Sequence, residues 1–451
     1  MNSSRMTRKH LSADALTHLL RSGFEKISDP RSGEPAISVA DAVMSAYAMF
    51  SLKDPSLLAF DKRRDDKNLQ ALYKIKRVPS DTQMRVILDP LAAEALRPTF
   101  GDIFRAVQRG KVLESYRYLD EGYLMALDGT GYFSSEKVHC GNCMEKHHQD
   151  GTVTYYHQTL GAAIIHPDKA TVLPMMPEPI LKQDGEVKND CERNAARRYL
   201  EKFRADHPTL QVVVVEDALS SNAPHVRDLQ KYGMHFLLGV KEGDHAYLFA
   251  EVRRREEQDP DVEWITIRTS EPHLRHMFTI VSDVPLNEAN ADVRVTFVRY
   301  IEFNDADHTD RIFTWITDIN VTTANVWRVM RAGRGRWKIE NETFNTLKTQ
   351  GYHYEHNYGH GEENLSVVFA LLMMLAFLVD QVLQLCDPLF QGALQKLGSK
   401  RLLWERMRSL FYEYHLRSLR ELYEALYYGC ERPRPRIRFD TNGTVQRILY
   451  A

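Results

Sequence analysis

Leu210-Gln-Val-Val-Val-Val-Glu-Asp217 holds four consecutive valines behind a leucine. Both alternating faces of such a run are apolar and β-branched, the pattern of a strand covered on both sides. The strand spans Leu210–Val215 and stops at Glu216-Asp217. Upstream, Asn189–Ala205 carries Ala195, Ala196, Tyr199, Leu200 and Phe203 at helical spacing. Before that helix, Gly122–Leu127 (GYLMAL), Tyr155–Ile165 and Ala170–Met176 read as strands, the first ending at Asp128-Gly129-Thr130. Downstream, Asn222–Tyr232 is a helix and His235–Val240 a strand. Three strands, then helix, strand, helix, strand, describe a mixed sheet with helices on both faces.

The flanks differ from this α/β centre. Residues 246–320 are expected to alternate as β segments, at Trp264–Arg268, Met277–Val281, Val293–Phe303 and Ile312–Ile319. Helices follow at Ala324–Met330, Arg336–Lys348 and Leu365–Cys386, and the tail from Pro388 is helical and aromatic before the cationic strip Arg432-Pro-Arg434-Pro-Arg436-Ile-Arg438. Residues 37–115 are helical, with Ser80 and Gln83 placed for a capping box. Five regions are expected: a helical 1–115, whose basic clusters Lys62-Arg63-Arg64 and Lys74-Ile75-Lys76-Arg77 fit either DNA binding or a solvated helical bundle; a core in two parts, 116–245 and 321–387; a β-rich insertion, 246–320; and a basic helical 388–451 for DNA or dimer contacts.

The chain has 451 residues, 43% hydrophobic and 27% charged, with a net charge of −2. That average conceals 19 basic against 14 acidic residues in 1–115, 28 against 41 in 116–387, and 12 against 6 in 388–451. An acidic centre between basic ends points to divided roles. The longest apolar run, Val367–Val379, is short for a bilayer span, and no apolar segment follows the charges of MNSSRMTRKH, so neither membrane nor secretion is expected. Five scattered cysteines fit a reducing cytoplasm better than a disulfide framework.

Asp128 and Asp217 both stand where apolar strands stop, the crevice at which α/β sheets hold ligands. Two carboxylates ~4 Å apart repel by ~4 kcal/mol at an effective dielectric of ~20, so they need a proton, a base or a cation between them. Hard oxygen donors favour Mg²⁺ or Mn²⁺. Glu340, in Arg336-Trp337-Lys338-Ile339-Glu340, is the third acid that would complete such a site.

The order of elements, with RWKIENETFNTLK at 336–348, is similar to the RNase H-like core of bacterial insertion-sequence DDE transposases of the cut-and-paste type, and resembles their Arg-x₃-Glu…Lys signature. The acids lie 89 and 123 residues apart, and the longer gap holds the β block, as in that family. The resemblance covers roughly 117–380. It implies that Asp128, Asp217 and Glu340 bind two Mg²⁺ (or Mn²⁺) ions and that Asp128 bridges them. It implies further that Arg336 and Lys348 contact DNA phosphate. Lys348 lies one residue beyond the family's Glu-x₆-Lys spacing, and Gly333 stands where the signature has Tyr. Trp315, in the last insertion strand, is either a core tryptophan or the aromatic that holds a flipped base.

The implied activity is metal-dependent cleavage and strand transfer on double-stranded DNA, at terminal inverted repeats and target sites. It would be carried out by a homodimer in synapsis, in the cytoplasm and on the nucleoid when DNA-bound. A structure-selective nuclease on the same core, or a decayed relative that only binds DNA, are the alternatives. Gln83 and Arg85, on the helix from Asp81, are positioned as groove contacts. Cys140, Cys143 and His147 have zinc-knuckle spacing, against the alternative of a polar loop with surface histidines. Tyr352–His360 (YHYEHNYGH) is either a DNA contact near the acids or a polar turn. Glu192, Arg193, Arg197 and Arg198 read as a solvated helix face.

Overall fold

The computed structural model describes residues 9–33, 35–120, 122–182, 190–259, 262–269, 271, 273–306, 308–429, 437–439 and 445–447. Six helices come first: α1 (Ala13–Phe24), α2 (Val39–Ser51), α3 (Leu57–Asp61), α4 (Lys67–Tyr73), α5 (Asp81–Leu88) and α6 (Arg97–Arg109). Ser12, Ser38, Ser56, Asp66 and Ser80 each cap one of the first five through a side-chain oxygen. The Ser80–Gln83 capping box expected from sequence is formed.

The sheet begins with β1 (Arg117–Leu119), β2 (Gly122–Ser135), β3 (Met144–His147), β4 (Val153–Ile165), β5 (Leu173–Pro174) and β6 (Glu178–Ile180). Then come α7 (Glu192–Asp206), β7 (Val212–Glu216), α8 (Ala223–Lys231), β8 (His235–Gly239) and α9 (Ala246–Gln258). Four long strands follow, β9 (Glu263–Arg268), β10 (Leu274–Asn287), β11 (Asn290–Asn304) and β12 (Thr309–Thr317). The strand order is β3-β4-β2-β7-β8-β12-β11-β10-β9, with β7 and β8 parallel to β2 and the other pairings antiparallel. This is the RNase H-like mixed sheet expected from the sequence. The β-rich insertion extends it, because β12 pairs with core strand β8 at Trp315↔Gly239.

Three expectations need correction. The first strand does not stop at Asp128: β2 runs on to Ser135, because antiparallel pairing with β4 continues after its parallel pairing with β7 has ended. The segment 170–176 contributes only the two-residue β5. Residues 246–258 form helix α9 rather than β structure; only Leu248, Phe249 and Val252 are buried, a narrow stripe on an otherwise charged helix.

Beyond the sheet lie α10 (Val326–Gly335), a π-helical turn (Ile339–Phe344), α11 (Asn345–Thr349) and α12 (Leu365–Cys386), then α13 (Pro388–Leu397), α14 (Lys400–Glu413) and α15 (Leu419–Tyr428). α12 is long and apolar enough to cross a membrane, but 94% of its most apolar window is buried inside the protein. The Asp89 carboxylate, just past α5, accepts the backbone N–H groups of Glu362, Glu363, Asn364 and Leu365 at 2.8–3.0 Å, capping α12 from another part of the chain. The N- and C-terminal helices pack on each other: Asn68 donates to the carbonyls of Phe411 and Tyr414, and Asp14 accepts from Leu419 N–H. Of the cationic strip, Arg432, Arg434 and Arg436 lie outside the described residues. Beyond them, Ile437–Phe439 pairs with Val445–Arg447.

Candidate active site

The register of two parallel strands sets two acids side by side. Tyr123–Ala126 on β2 stand opposite Val212–Val215 on β7. Two residues on, the same register brings Asp128 level with Asp217, whose backbone is still extended (φ −80°, ψ −175°). Alternation sends both side chains to the face shared by Ala126 and Val215. Glu216 points the other way and is buried, holding His225 Nε2 at 2.5 Å and accepting from the Ser220 hydroxyl at 3.0 Å.

Asp128 is 23% exposed and accepts Arg336 Nη1 at 3.0 Å. Burial pushes its pKa above the ordinary carboxylate value; the Arg336 guanidinium opposes the shift, while Asp217 and Glu340 add to it. One oxygen of Asp217 accepts Leu219 N–H at 2.9 Å and so caps a single 3₁₀ turn. Glu340, on the π turn, lies 4.0 Å from Arg336 Nη2, so one guanidinium stands between the first and third acids.

Glycines make room for this convergence. Gly161 stands opposite Asp128 on β4, and a Cβ there would meet the Phe344 ring at 2.6 Å. Only glycine lets the π turn that carries Glu340 settle against the sheet at this point. A Cβ on Gly129 would lie 2.0 Å from Glu192 Oε1. Glu192, the first residue of α7, therefore reaches over Gly129 into the site as a fourth acid. Burial, then the neighbouring Asp128 and Asp217, raise its pKa. This corrects the solvated-face expectation for Glu192. It also corrects it for Arg198, which binds Glu178 and Asp190 at 2.9 and 2.8 Å; Arg193 and Arg197 are exposed.

A cleft of about 740 Å³ opens beside the acids, lined among others by Asp217, Lys241, Arg299, Trp315, Arg336 and Trp337. Trp315 is 5% exposed and stacked on Phe313, with 5.9 Å between ring centroids and 6° between planes. Its indole occupies the space of a side chain at Gly333, where a Cβ would meet it at 2.5 Å. The tyrosine position of the signature is empty because the tryptophan fills it. Trp337, which the sequence reading passed over, is 50% exposed and carries the Arg336 guanidinium 4.5 Å from its ring centroid.

Lys348 pairs with Glu355 at 2.9 Å. Its late position has a structural counterpart. A π turn takes about one residue more than an α turn, so seven intervening residues here sweep the rotation that six would in an uninterrupted α-helix. Gln83 and Arg85 sit on α5, away from the cleft lining. The Gln83 side chain closes the helix cap, and Arg85 lies 3.6 Å from Asp81.

Of the three residues expected as zinc ligands, one lies apart from the other two. His147 is exposed and pairs with Glu145 at 3.1 Å, whereas Cys140 and Cys143 meet His157 and His360. Within 352–360, Tyr352, Tyr354, Tyr358 and His360 are buried, whereas His353, Glu355, His356 and Asn357 are exposed.

A mixed sheet thus sets Asp128 and Asp217 level on neighbouring strands, with Glu340 joined to the first through Arg336. The family model described as "Transposase DDE domain" matches residues 146–378, more than half of the chain. The protein belongs to this family, the DDE transposases of the insertion-sequence kind. The matched segment contains Asp217, Trp315, Arg336, Glu340 and Lys348, whereas Asp128 precedes it. No curated protein matches the sequence.

Proposed function

We propose that the chain cleaves and joins DNA strands at the ends of an insertion sequence, with Asp128, Asp217 and Glu340 as its metal-binding triad. The observation that carries this reading is the β2–β7 register, which brings two aspartates level on one face while Arg336 links the first of them to Glu340. The donors suit a hard divalent cation. All are carboxylate oxygens, and burial together with mutual repulsion already disfavours the charged forms of Asp128 and Glu192. Bound Mg²⁺ or Mn²⁺ ions supply activation of an attacking water or 3′-hydroxyl and charge stabilisation at the leaving oxygen.

The chain's own groups do the rest. Arg336 partly neutralises Asp128 and Glu340, and with a cation held by these acids its fork would suit non-bridging phosphate oxygens. Lys241 and Arg299 line the cleft as backbone contacts. Trp337 offers exposed ring area for a base, while Trp315 shapes the wall behind it. Lys348 would approach phosphate on releasing Glu355. Gln83 and Arg85 on α5 and the basic ends would hold the terminal repeats, with binding that weakens steeply as salt rises. Two ends brought together require a second copy of the chain, so a homodimer is the working unit in synapsis.

The test is cleavage of a plasmid bearing the element's own terminal repeats in Mg²⁺. Asp217→Ala should reduce cutting by roughly 10³-fold, on the order of 4 kcal/mol in the barrier, while gel-shift binding to the ends persists. A variant that still cuts would overturn the triad. A wild-type chain that cuts without joining would instead support a nuclease.

A further inference from the structure

Cys140, Cys143, His157 and His360 turn one donor atom each toward a common point, all four atoms lying within 4.8 Å of one another. The residues are 8%, 1%, 0% and 5% exposed. They come from three separate places: the loop between β2 and β3, the middle of β4, and the segment leading into α12. We propose that they bind a structural Zn²⁺ ion that fastens this segment to the catalytic sheet.

Four of the six donor separations are close to those of a tetrahedron. With Zn–S near 2.3 Å and Zn–N near 2.0–2.1 Å, tetrahedral ligands stand about 3.8 Å apart sulfur to sulfur and about 3.6 Å apart sulfur to nitrogen. Cys140 Sγ and Cys143 Sγ are 3.8 Å apart. His157 Nε2 lies 3.4 Å from each sulfur, and His360 Nε2 lies 3.2 Å from Cys143 Sγ. Both imidazoles present Nε2, and neither Nδ1 has a hydrogen-bond partner. No neighbour therefore opposes the Nδ1–H tautomer that leaves the Nε2 lone pair for a metal. Two sulfurs and two imidazoles suit zinc rather than the hard cations of the acid site, and four protein ligands leave no open position, as in structural sites.

The surroundings match a fastening role. Cys140 N–H points at Cys143 Sγ at 3.4 Å, as in a tight thiolate turn. Gly141 N–H donates to the Glu362 carbonyl at 3.1 Å, and Asn142 donates to the Glu363 carbonyl and the Asn364 side chain at 3.0 Å. These same residues receive the Asp89 cap of α12. The ion would thus tie β4, neighbour of the Asp128 strand, to the connection between the Glu340 helix and α12. Ring packing encloses it, with Phe133 4.2 Å from His360 and Tyr132 stacked on His157 at 5.7 Å.

Elemental analysis of the purified full chain should find about one Zn per chain. Replacement of zinc by Co²⁺ should produce the visible bands of a tetrahedral thiolate site. Cys143→Ser and His360→Ala should each lose the metal, whereas His147→Ala should keep it. Stripping zinc with a strong chelator, then restoring Mg²⁺, should lower the thermal midpoint with the acid triad intact. A wild-type chain without zinc, a cobalt form lacking those bands, a Cys140–Cys143 disulfide in its place, or loss of metal in His147→Ala would overturn the proposal. Wild-type metal content and the cobalt spectrum decide the matter even if the ligand variants fail to fold.

Discussion

Two places in this molecule handle buried charge in opposite ways. In the helical body, Lys53 and Asp380 form an ion pair with almost no solvent exposure. Tyr352 donates to Asp380 at 2.7 Å, and Trp404 lies beneath the ammonium at 4.0 Å. Burial lowers the pKa of Lys53 and raises that of Asp380, and each partner opposes the shift of the other. At the sheet edge, Asp128 and Glu340 share one guanidinium, that of Arg336, while Asp217 and Glu192 add like charge beside Asp128. The first place is closed and satisfied within the chain; the second is left short of positive charge. A structural site finishes its electrostatics with its own side chains, and a working site leaves the completion to what it binds.

The sharpest way to break this contrast is to unpair the closed site. Lys53→Met should destabilise the fold by about 3–5 kcal/mol, because Asp380 remains buried without its partner. The double variant Lys53→Met with Asp380→Leu should recover most of the loss in urea unfolding. A single variant costing under about 1 kcal/mol would mean the pair is not desolvated as described. Arg336→Ala removes the guanidinium that contacts Asp128 and approaches Glu340. Cleavage should fall about 10²-fold at saturating Mg²⁺, on the order of 2.7 kcal/mol, and wild-type rates in single-turnover assays would refute its place at the phosphate.

Glu192→Gln should have the smallest effect and the opposite sign. With like charge relieved, the metal-free thermal midpoint should rise by about 1–2 °C, on the order of 1 kcal/mol, and the Mg²⁺-induced shift should shrink. The pH dependence follows the same logic. Asp128 and Glu192 have raised folded pKa values, so the folded chain holds more protons than the unfolded one above the ordinary carboxylate range near 4. The stability these groups contribute therefore declines as pH rises from about 4 through the raised values. Metal-free melting curves between pH 4 and 7 should show that decline, flatter in Glu192→Gln and flatter still in Mg²⁺. A steeper decline in the variant would exclude Glu192 from the acid cluster.

What the sequence made legible is what lies next to a strong local pattern. Asp128 and Asp217 follow apolar runs, and Glu340 sits in a motif, so all three stand out in the sequence. Glu192 could not, because its direction depends on Gly129, 63 residues earlier. His360 could not be joined to Cys143 across 217 residues, although both had been noticed separately, and the nearer His147 took its place in the expectation. Helix α9 was missed because a half-buried helix needs only three apolar contacts, too few to outweigh the strands that follow. The signal that could have found Glu192 was Gly129 next to Asp128 within a strand, which marks close approach rather than a turn.

The π turn at Ile339–Phe344 bears on how such chains diverge. A residue inserted into a helix ordinarily rotates everything after it by about 100°, carrying functional side chains off their face. Here the surplus is taken up as slack in the winding. A signature defined by counting residues would score this chain as defective; one defined by angle around the helix axis would accept it. Insertions of this sort would therefore leave the side chains beyond them on the same helix face, and they stay invisible to any comparison that counts positions rather than turns.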